Sequence, residues 1–221
     1  MKAREFKDKV YGELSGLTRA LANPKRLEIM DLLGQGRCSV EYIANQTNLS
    51  IANASQHLQV LKSARLVAIE TRGKYRYYTL ANTHVFEVWA SLRDLTFSHN
   101  AEIKTLIQAY RKERHSLESV SCEELLRRIK KDEVIVLDVR PEEEYKERHI
   151  AQSVSIPAGQ LSERLQDLPK DKEIVAYCRG PLCVMADESV KKLRSHGFMS
   201  RRLEGGYPDW MALGLPVEQN T

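Results

Sequence analysis

Two short runs of β-branched and apolar residues in the second half of the chain constrain its fold most: EVIVLDVR (Glu133 to Arg140) and EIVAYC (Glu173 to Cys178). Each is apolar on consecutive rather than alternate positions, the signature of a strand buried on both faces. Between and around them CEELLRRIKK, QLSERLQDL and ADESVKKLRSHG carry helical spacing. Strands separated by helices imply a parallel sheet covered by helices, so the C-terminal part is expected to be α/β.

The first half has another texture. LANPKRLEIMDLLGQG places Leu27, Met30 and Leu33 at helical spacing behind Asn23-Pro24 and ends in glycines. A short helix follows in SVEYIANQT, then a break at Asn48-Leu49. Ser50 next caps IANASQHLQVLKSA, whose Ile51, Ala54, Leu58 and Leu61 form one apolar stripe. Two short helices about a tight turn read as a helix-turn-helix. The other face of the second helix shows Asn53, Ser55, Gln56, Gln59 and Lys62, small or amide side chains suited to base edges and phosphates. With the cap Ser50 these are the expected DNA contacts. LVAIETRGKYRYYTL then alternates about Arg72-Gly73, a hairpin whose tip residues Arg72 and Lys74 suit a wing on the phosphate backbone. The N-terminal part is thus expected to be a mainly α winged helix-turn-helix with a β-hairpin wing.

Charge follows the same division. The net charge of +4 conceals 18 Lys and Arg against 11 Asp and Glu in residues 1–115, and 16 against 19 in 116–221. The basic half has the sign of a polyanion binder. No apolar run approaches the roughly 20 residues of a membrane span. MKAREFKDKV lacks the apolar stretch of a signal peptide, so a cytoplasmic protein with no membrane partner is expected. Four cysteines (Cys38, Cys122, Cys178, Cys183) give no disulfide framework.

Residues 83 to 115 read as one long helix, with Val88, Leu92, Leu95, Leu106 and Ile107 among its apolar positions, and suggest a dimer seam. RKERHSLESVS is a polar junction. The linker is expected at about 115 to 120, dividing a DNA-binding and dimerisation domain, 1–115, from an α/β domain, 116–221.

NPKRLEIMDLL, SVEYIANQTNLSIANASQHLQVLKSARLV and TRGKYRYYTL resemble, in order and spacing, the winged-helix repressors of the ArsR family over residues 1 to about 100. The resemblance implies a homodimer on a roughly palindromic double-stranded operator, released when an effector binds. The metal sites of that family are incomplete here. Cys38 stands at the first position of the arsenic-type cysteine pair, but Val40 takes the second. His99 and Glu102 match half of the zinc-type site, with no Asp-x-His before them. No metal and no cofactor is therefore expected, Cys38 and His99 being isolated ligand candidates.

The remaining feature is AYCRGPLCVMADESV, two cysteines bracketing a loop before a helix. A zinc clip, a disulfide, a phosphatase-like loop and a sulfur nucleophile compete for it. A zinc clip lacks two ligands, and a C-x5-R phosphatase loop would need arginine where Val184 stands. LDVRPEEEYKERHIAQSVSIP, IVAYCRGPLC and RLEGGYPDW resemble a rhodanese domain across residues 120 to 217, the loop cupping the Cys178 thiol. The resemblance implies a Cys178 persulfide drawn from a sulfane sulfur donor: polysulfide, persulfide or thiosulfate. Loop amides and the following helix are expected to depress the Cys178 pKa, with Arg179 favouring the anion and contacting an anionic donor. Cys183, where such domains usually carry a polar or basic residue, adds a resolving thiol. Asp138, Arg140, His149, Gly205 and Gly206 match landmarks of the family, with structural roles expected. The combined expectation is a transcriptional repressor that responds to reactive sulfur or thiol oxidation through Cys178 and Cys183. The alternative is a sulfurtransferase whose winged helix serves autoregulation or localisation.

Overall fold

A computed structural model describes residues 1–73, 75–113 and 118–219. The backbone forms two compact units, 1–89 and 90–221.

In the first unit α1 (Ala3–Leu21) precedes α2 (Pro24–Leu33). The Asn23 side chain starts α2 by accepting from the amides of Lys25 (3.0 Å) and Arg26 (3.2 Å), and Pro24 sits where no amide donor is needed. Strand β1 (Cys38–Ser39) leads into α3 (Val40–Thr47), capped by Ser39. Asn48 then turns in the left-handed region, φ 52°, and Ser50 caps α4 (Ile51–Ser63) through the Asn53 amide. Strands β2 (Val67–Arg72) and β3 (Tyr75–Leu80) pair antiparallel, with Arg72 opposite Tyr75, and β1 joins the other side of β3. Ile29, Met30, Leu33, Ile43, Leu58 and Leu61 are buried at the centre. Of the expected α4 stripe, Ala54, Leu58 and Leu61 are buried but Ile51 is 55% exposed, because it is the first helical residue and lies beyond the packed turns.

The long helix expected over 83 to 115 is two helices, α5 (Thr83–His99) and α6 (Ala101–Glu113). Asn100 ends one with its amide on Thr96 O (3.1 Å) and starts the next by accepting from Ile103 N (3.1 Å). A short amide side chain competes with the helical ladder, which is why it interrupts an otherwise continuous pattern. Within the first unit the Trp89 indole donates to Asp31 (3.2 Å). Part of the expected junction, residues 114–117, lies outside the described residues.

The second unit holds β4 (Ser119–Val120), α7 (Cys122–Ile129), β5 (Val134–Asp138), α8 (Glu142–Glu147), β6 (His149–Ile150), β7 (Val154–Ser155), β8 (Glu173–Tyr177), α9 (Met185–Ser195), β9 (Ser200–Leu203), α10 (Tyr207–Ala212) and β10 (Val217–Glu218). Five strands form one parallel sheet in the order β4-β9-β8-β5-β7, and β10 pairs antiparallel with β6. The two-residue period of β8 divides the core. Ile174 and Ala176 join the cluster of Leu137, Val190 and Leu193, while Val175 and Tyr177 join that of Val136, Leu125 and Trp210. Continuing the alternation, Cys178 falls on the α9 side. Behind the strand ends, Arg140 and Asp138 form a fully buried ion pair at 2.7 Å, the guanidinium lying over the Tyr207 ring.

Candidate functional site

Helix α4 presents Asn53, Gln56, Gln59 and Lys62 exposed, while Ser55 is half-buried. Ser50 is exposed, but its hydroxyl accepts from the Asn53 amide, so its local role is the cap. The wing backbone reaches Arg72 and Gly73, the latter at φ +59°. The Arg72 side chain and the whole of Lys74 lie outside the described residues.

The cysteine loop is built at the C-terminal end of β8, the position where open parallel sheets place their ligands. It closes through Cys183 N on Gly180 O (3.0 Å) and is tied below by Tyr207 N on Cys178 O (3.1 Å). Gly180 takes φ +153°, a conformation that L side chains rarely adopt. The Gly205-Gly206 segment passes so close that a Cβ on Gly206 would meet Gly180 N at 2.3 Å, which explains the glycine there.

Cys178 is 2% exposed and its thiol donates to the Cys183 carbonyl (3.6 Å). Cys183 is half-buried, and all four cysteines are thiols rather than disulfides. Burial pushes the Cys178 thiol well up, although the amides of Gly180 and Ala186 hydrogen bond to its sulfur and pull the other way. Cys183 is lowered, first by the hydrogen bond it receives from the Cys178 thiol and then by the amides of Arg179 and Met185. The depressed Cys178 pKa expected from the loop is therefore reversed. The amide cradle exists, but it is shared by two sulfurs, and the deeper one keeps its proton for the other to accept.

Arg179 lowers a loop thiol by its charge, though that of Cys183 rather than Cys178, and it is held by a carboxylate. Its guanidinium donates to both Glu144 oxygens, Nη2 to Oε1 at 2.5 Å and Nε to Oε1 at 2.9 Å and Oε2 at 3.2 Å, and Glu144 is 5% exposed at the start of α8. Two further carboxylates adjoin the loop. Asp209 accepts from Gly206 N (3.0 Å) and from Arg93 (2.7 Å), and Asp187 in the first turn of α9 faces Arg202 at 3.4 Å. Sequence reasoning passed over Glu144, Asp209 and Arg93. Glu144 sits in the run PEEEY, where nothing in the spelling separates the buried glutamate from its exposed neighbours.

Cys38 is buried on β1 with its sulfur against Gly36 O, and His99 is exposed, its ring bonded to Ser98. Among the described residues no three His, Cys, Asp or Glu side chains are grouped to hold a metal ion. Among them no helix is long and apolar enough to cross a membrane.

Fold and loop together define a winged helix-turn-helix joined to a rhodanese-like α/β domain. Comparison with known proteins agrees: residues 23–68 match the family "Bacterial regulatory protein, arsR family", and 121–213 match "Rhodanese-like domain". The chain is similar to the HTH-type transcriptional regulator Rv0324 of Mycobacterium tuberculosis, at 38% identity over 95% of this chain and 92% of the relative. It is similar to the transcriptional repressor SdpR of Bacillus subtilis at 33% identity over 32% of this chain and 78% of the relative. Among solved structures, a rhodanese-related protein from Thermoplasma volcanium covers 46% of this chain and 97% of its own, at 31% identity and a TM-score of 0.42. The chain belongs to the ArsR family of transcriptional regulators, in the architecture that carries a C-terminal rhodanese-like domain.

Proposed function

We propose that this regulator is a homodimeric repressor whose operator affinity is set by the sulfur state of Cys178 and Cys183. The functional division follows at 115/116, with DNA binding and dimerisation before it and sulfur sensing after it. The exposed polar face of α4 supports major-groove contact. Apolar Val88, Leu92, Leu95 and Leu106, 40 to 63% exposed on α5 and α6, support a dimer seam. The observation that carries the sulfur reading is the loop that buries Cys178 and closes Cys183 over it, the Cys178 thiol donating to the Cys183 carbonyl at 3.6 Å and Cys183 N to Gly180 O at 3.0 Å.

The chemistry balances without a cofactor. Cys183, the more exposed and more acidic thiol, attacks the outer sulfur of a hydropersulfide RS–SH; an Sγ–S bond forms, the RS–S bond breaks, and RSH leaves with the electron pair and a proton. Cys178 then attacks Cys183 Sγ, forming the Cys178–Cys183 disulfide and releasing the outer sulfur as hydrogen sulfide. The dithiol is oxidised and the sulfane sulfur reduced. The order is the reverse of the expected one, in which Cys178 attacks and Cys183 resolves, but the end product is the same. Closing that bridge must move the loop, and the Gly206 amide and Arg93 both rest on Asp209, so α5 shares in the movement.

A DNA-binding titration tests this. Polysulfide should release wild-type protein from its operator and leave Cys178→Ser bound; release of Cys178→Ser by polysulfide would rule out the disulfide as the switch and leave the Cys183 persulfide, Cys38 or Cys122 as the sensor. The match of 121–213 to the rhodanese-like family favours a second reading, a sulfurtransferase. Repeated turnover with donor and acceptor, against a single modification, separates the two.

A further inference from the structure

The charges around the loop come in matched pairs, and this bears on which donor it accepts. Arg179 in the loop faces Glu144, Arg93 faces Asp209 beside it, and Arg202 faces Asp187 of the helix that follows the loop. All three pairs are largely shielded from water, the least covered side chain, Asp209, being 18% exposed. Besides Arg179, the loop carries only Gly180, Pro181 and Leu182 between the cysteines. Leu182 is 53% exposed and gives the rim an apolar character. Lys104 lines the cavity that Pro181 also lines, but so do Asp94, Glu123 and Glu204, and Lys104 is exposed.

We infer that Glu144 determines donor specificity: by pairing with the Arg179 guanidinium it offsets the one cation that the loop carries, so the loop takes a neutral or singly charged sulfane sulfur, a hydropersulfide or organic polysulfide, and discriminates against the thiosulfate dianion. Desolvating a dianion needs a cation whose charge is still available, and a guanidinium already bidentate on a buried carboxylate does not supply one. A hydropersulfide delivers the same sulfur with a thiol as leaving group and needs no such cation. Rejecting one donor by withholding its partner charge is specificity obtained by design against the competitor. This rests on the sulfur-uptake reading above.

The test is single-turnover reaction of the full-length chain with cysteine hydropersulfide and with thiosulfate, loading being read by intact mass spectrometry as either added sulfur or the loss of two hydrogens that marks the Cys178–Cys183 disulfide. Wild type should load from the hydropersulfide about a hundredfold faster than from thiosulfate. Glu144→Gln frees Arg179 and should raise the thiosulfate-to-hydropersulfide rate ratio about tenfold; adding Arg179→Gln to it should return the ratio to the wild-type value. An unchanged or lower ratio in Glu144→Gln, or equal loading of wild type by both donors, overturns the inference while leaving sulfur uptake intact. Loading by neither donor overturns sulfur uptake itself. Because Glu144 is buried and its variant can lose the fold, a measurement on wild type stands beside it. Sulfate, an unreactive dianion, should leave iodoacetamide labelling of the loop cysteines unchanged, and protection by sulfate overturns the inference.

Discussion

The Cys178 thiol donates to the Cys183 backbone oxygen across 3.6 Å, and the two thiols are shifted in opposite directions, Cys178 up by burial and Cys183 down by its hydrogen bond with Cys178. Cys183 is therefore the first to react with a neutral alkylating agent near pH 7, and Cys178, 2% exposed, follows slowly. Cys178→Ala removes the hydrogen bond that lowers Cys183 and should slow its labelling severalfold at that pH. Peptide mapping after brief iodoacetamide treatment reads both. Labelling of Cys178 before Cys183 would restore the sequence-based order of attack.

On the DNA side, Gln56 is exposed near the middle of α4, where an amide reaches a base edge. Gln56→Ala should cost about 1–3 kcal/mol at one operator position, while Lys62→Ala, Arg72→Ala and Lys74→Ala weaken all sequences and flatten the salt dependence. Fluorescence anisotropy over a panel of operator variants at several salt concentrations distinguishes these. Indifference to all four substitutions would remove α4 and the wing from the interface.

How much of this was legible beforehand depended on whether one segment sufficed to decide it. Caps at Asn23, Ser39 and Ser50 and the buried runs of β5 and β8 are local, and the elements follow them. The Asn100 break was legible in principle, but the apolar spacing on both sides outweighed a single amide. The charge state of the loop was not legible. Glu144 lies 35 residues before Arg179, and the burial that raises Cys178 comes from its place in the core cluster that includes Val190 and Leu193, which periodicity places on a helix but not in one cluster with a sulfur.

For assembly, Leu92 is 40% exposed on α5 beside Val88 and Leu95, and an apolar row left open in one chain is what a two-fold seam covers. Leu92→Glu should yield monomers that no longer hold a two-fold operator, since an unpaired carboxylate in an apolar interface is strongly unfavourable. Sedimentation velocity decides; an unchanged dimer would locate the seam elsewhere.

Gly206 gives a steric prediction. Its backbone angle suits any residue, φ −137°, but the Cβ of alanine would stand 2.3 Å from Gly180 N, and backbone cannot yield as a side-chain tip does. Gly206→Ala should cost about 1–3 kcal/mol, as overpacking does, and displace the loop enough to change thiol labelling. Gly159→Ala, with nothing within 4 Å, is the control and should be near neutral. Urea denaturation of both variants reads the difference, and equal midpoints would show that the two segments separate freely.

Cys122 supplies a pH dependence away from the loop. It is buried at the start of α7, and burial first, then the charges of Asp209, Glu123 and Glu204, pushes its thiol up to about 12. An unfolded thiol titrates near 8.5. Between these values the folded chain holds a proton that the unfolded chain has released, so the unfolded state binds fewer protons and stability falls as pH rises. The contribution is fully present below about pH 8.5 and is lost from there towards 12, at about 1.4 kcal/mol for each pH unit. Cys178, raised by its own burial, adds a fall of the same sign, whereas the lowered Cys183 contributes none above the ordinary thiol range. Cys122→Ala should therefore lower stability at pH 7 by leaving a small cavity, yet show a shallower decline between pH 9 and 11 than wild type. Denaturation midpoints across that range provide the measurement. Parallel declines in the two proteins would mean that Cys122 ionises in the folded chain as readily as in the unfolded one.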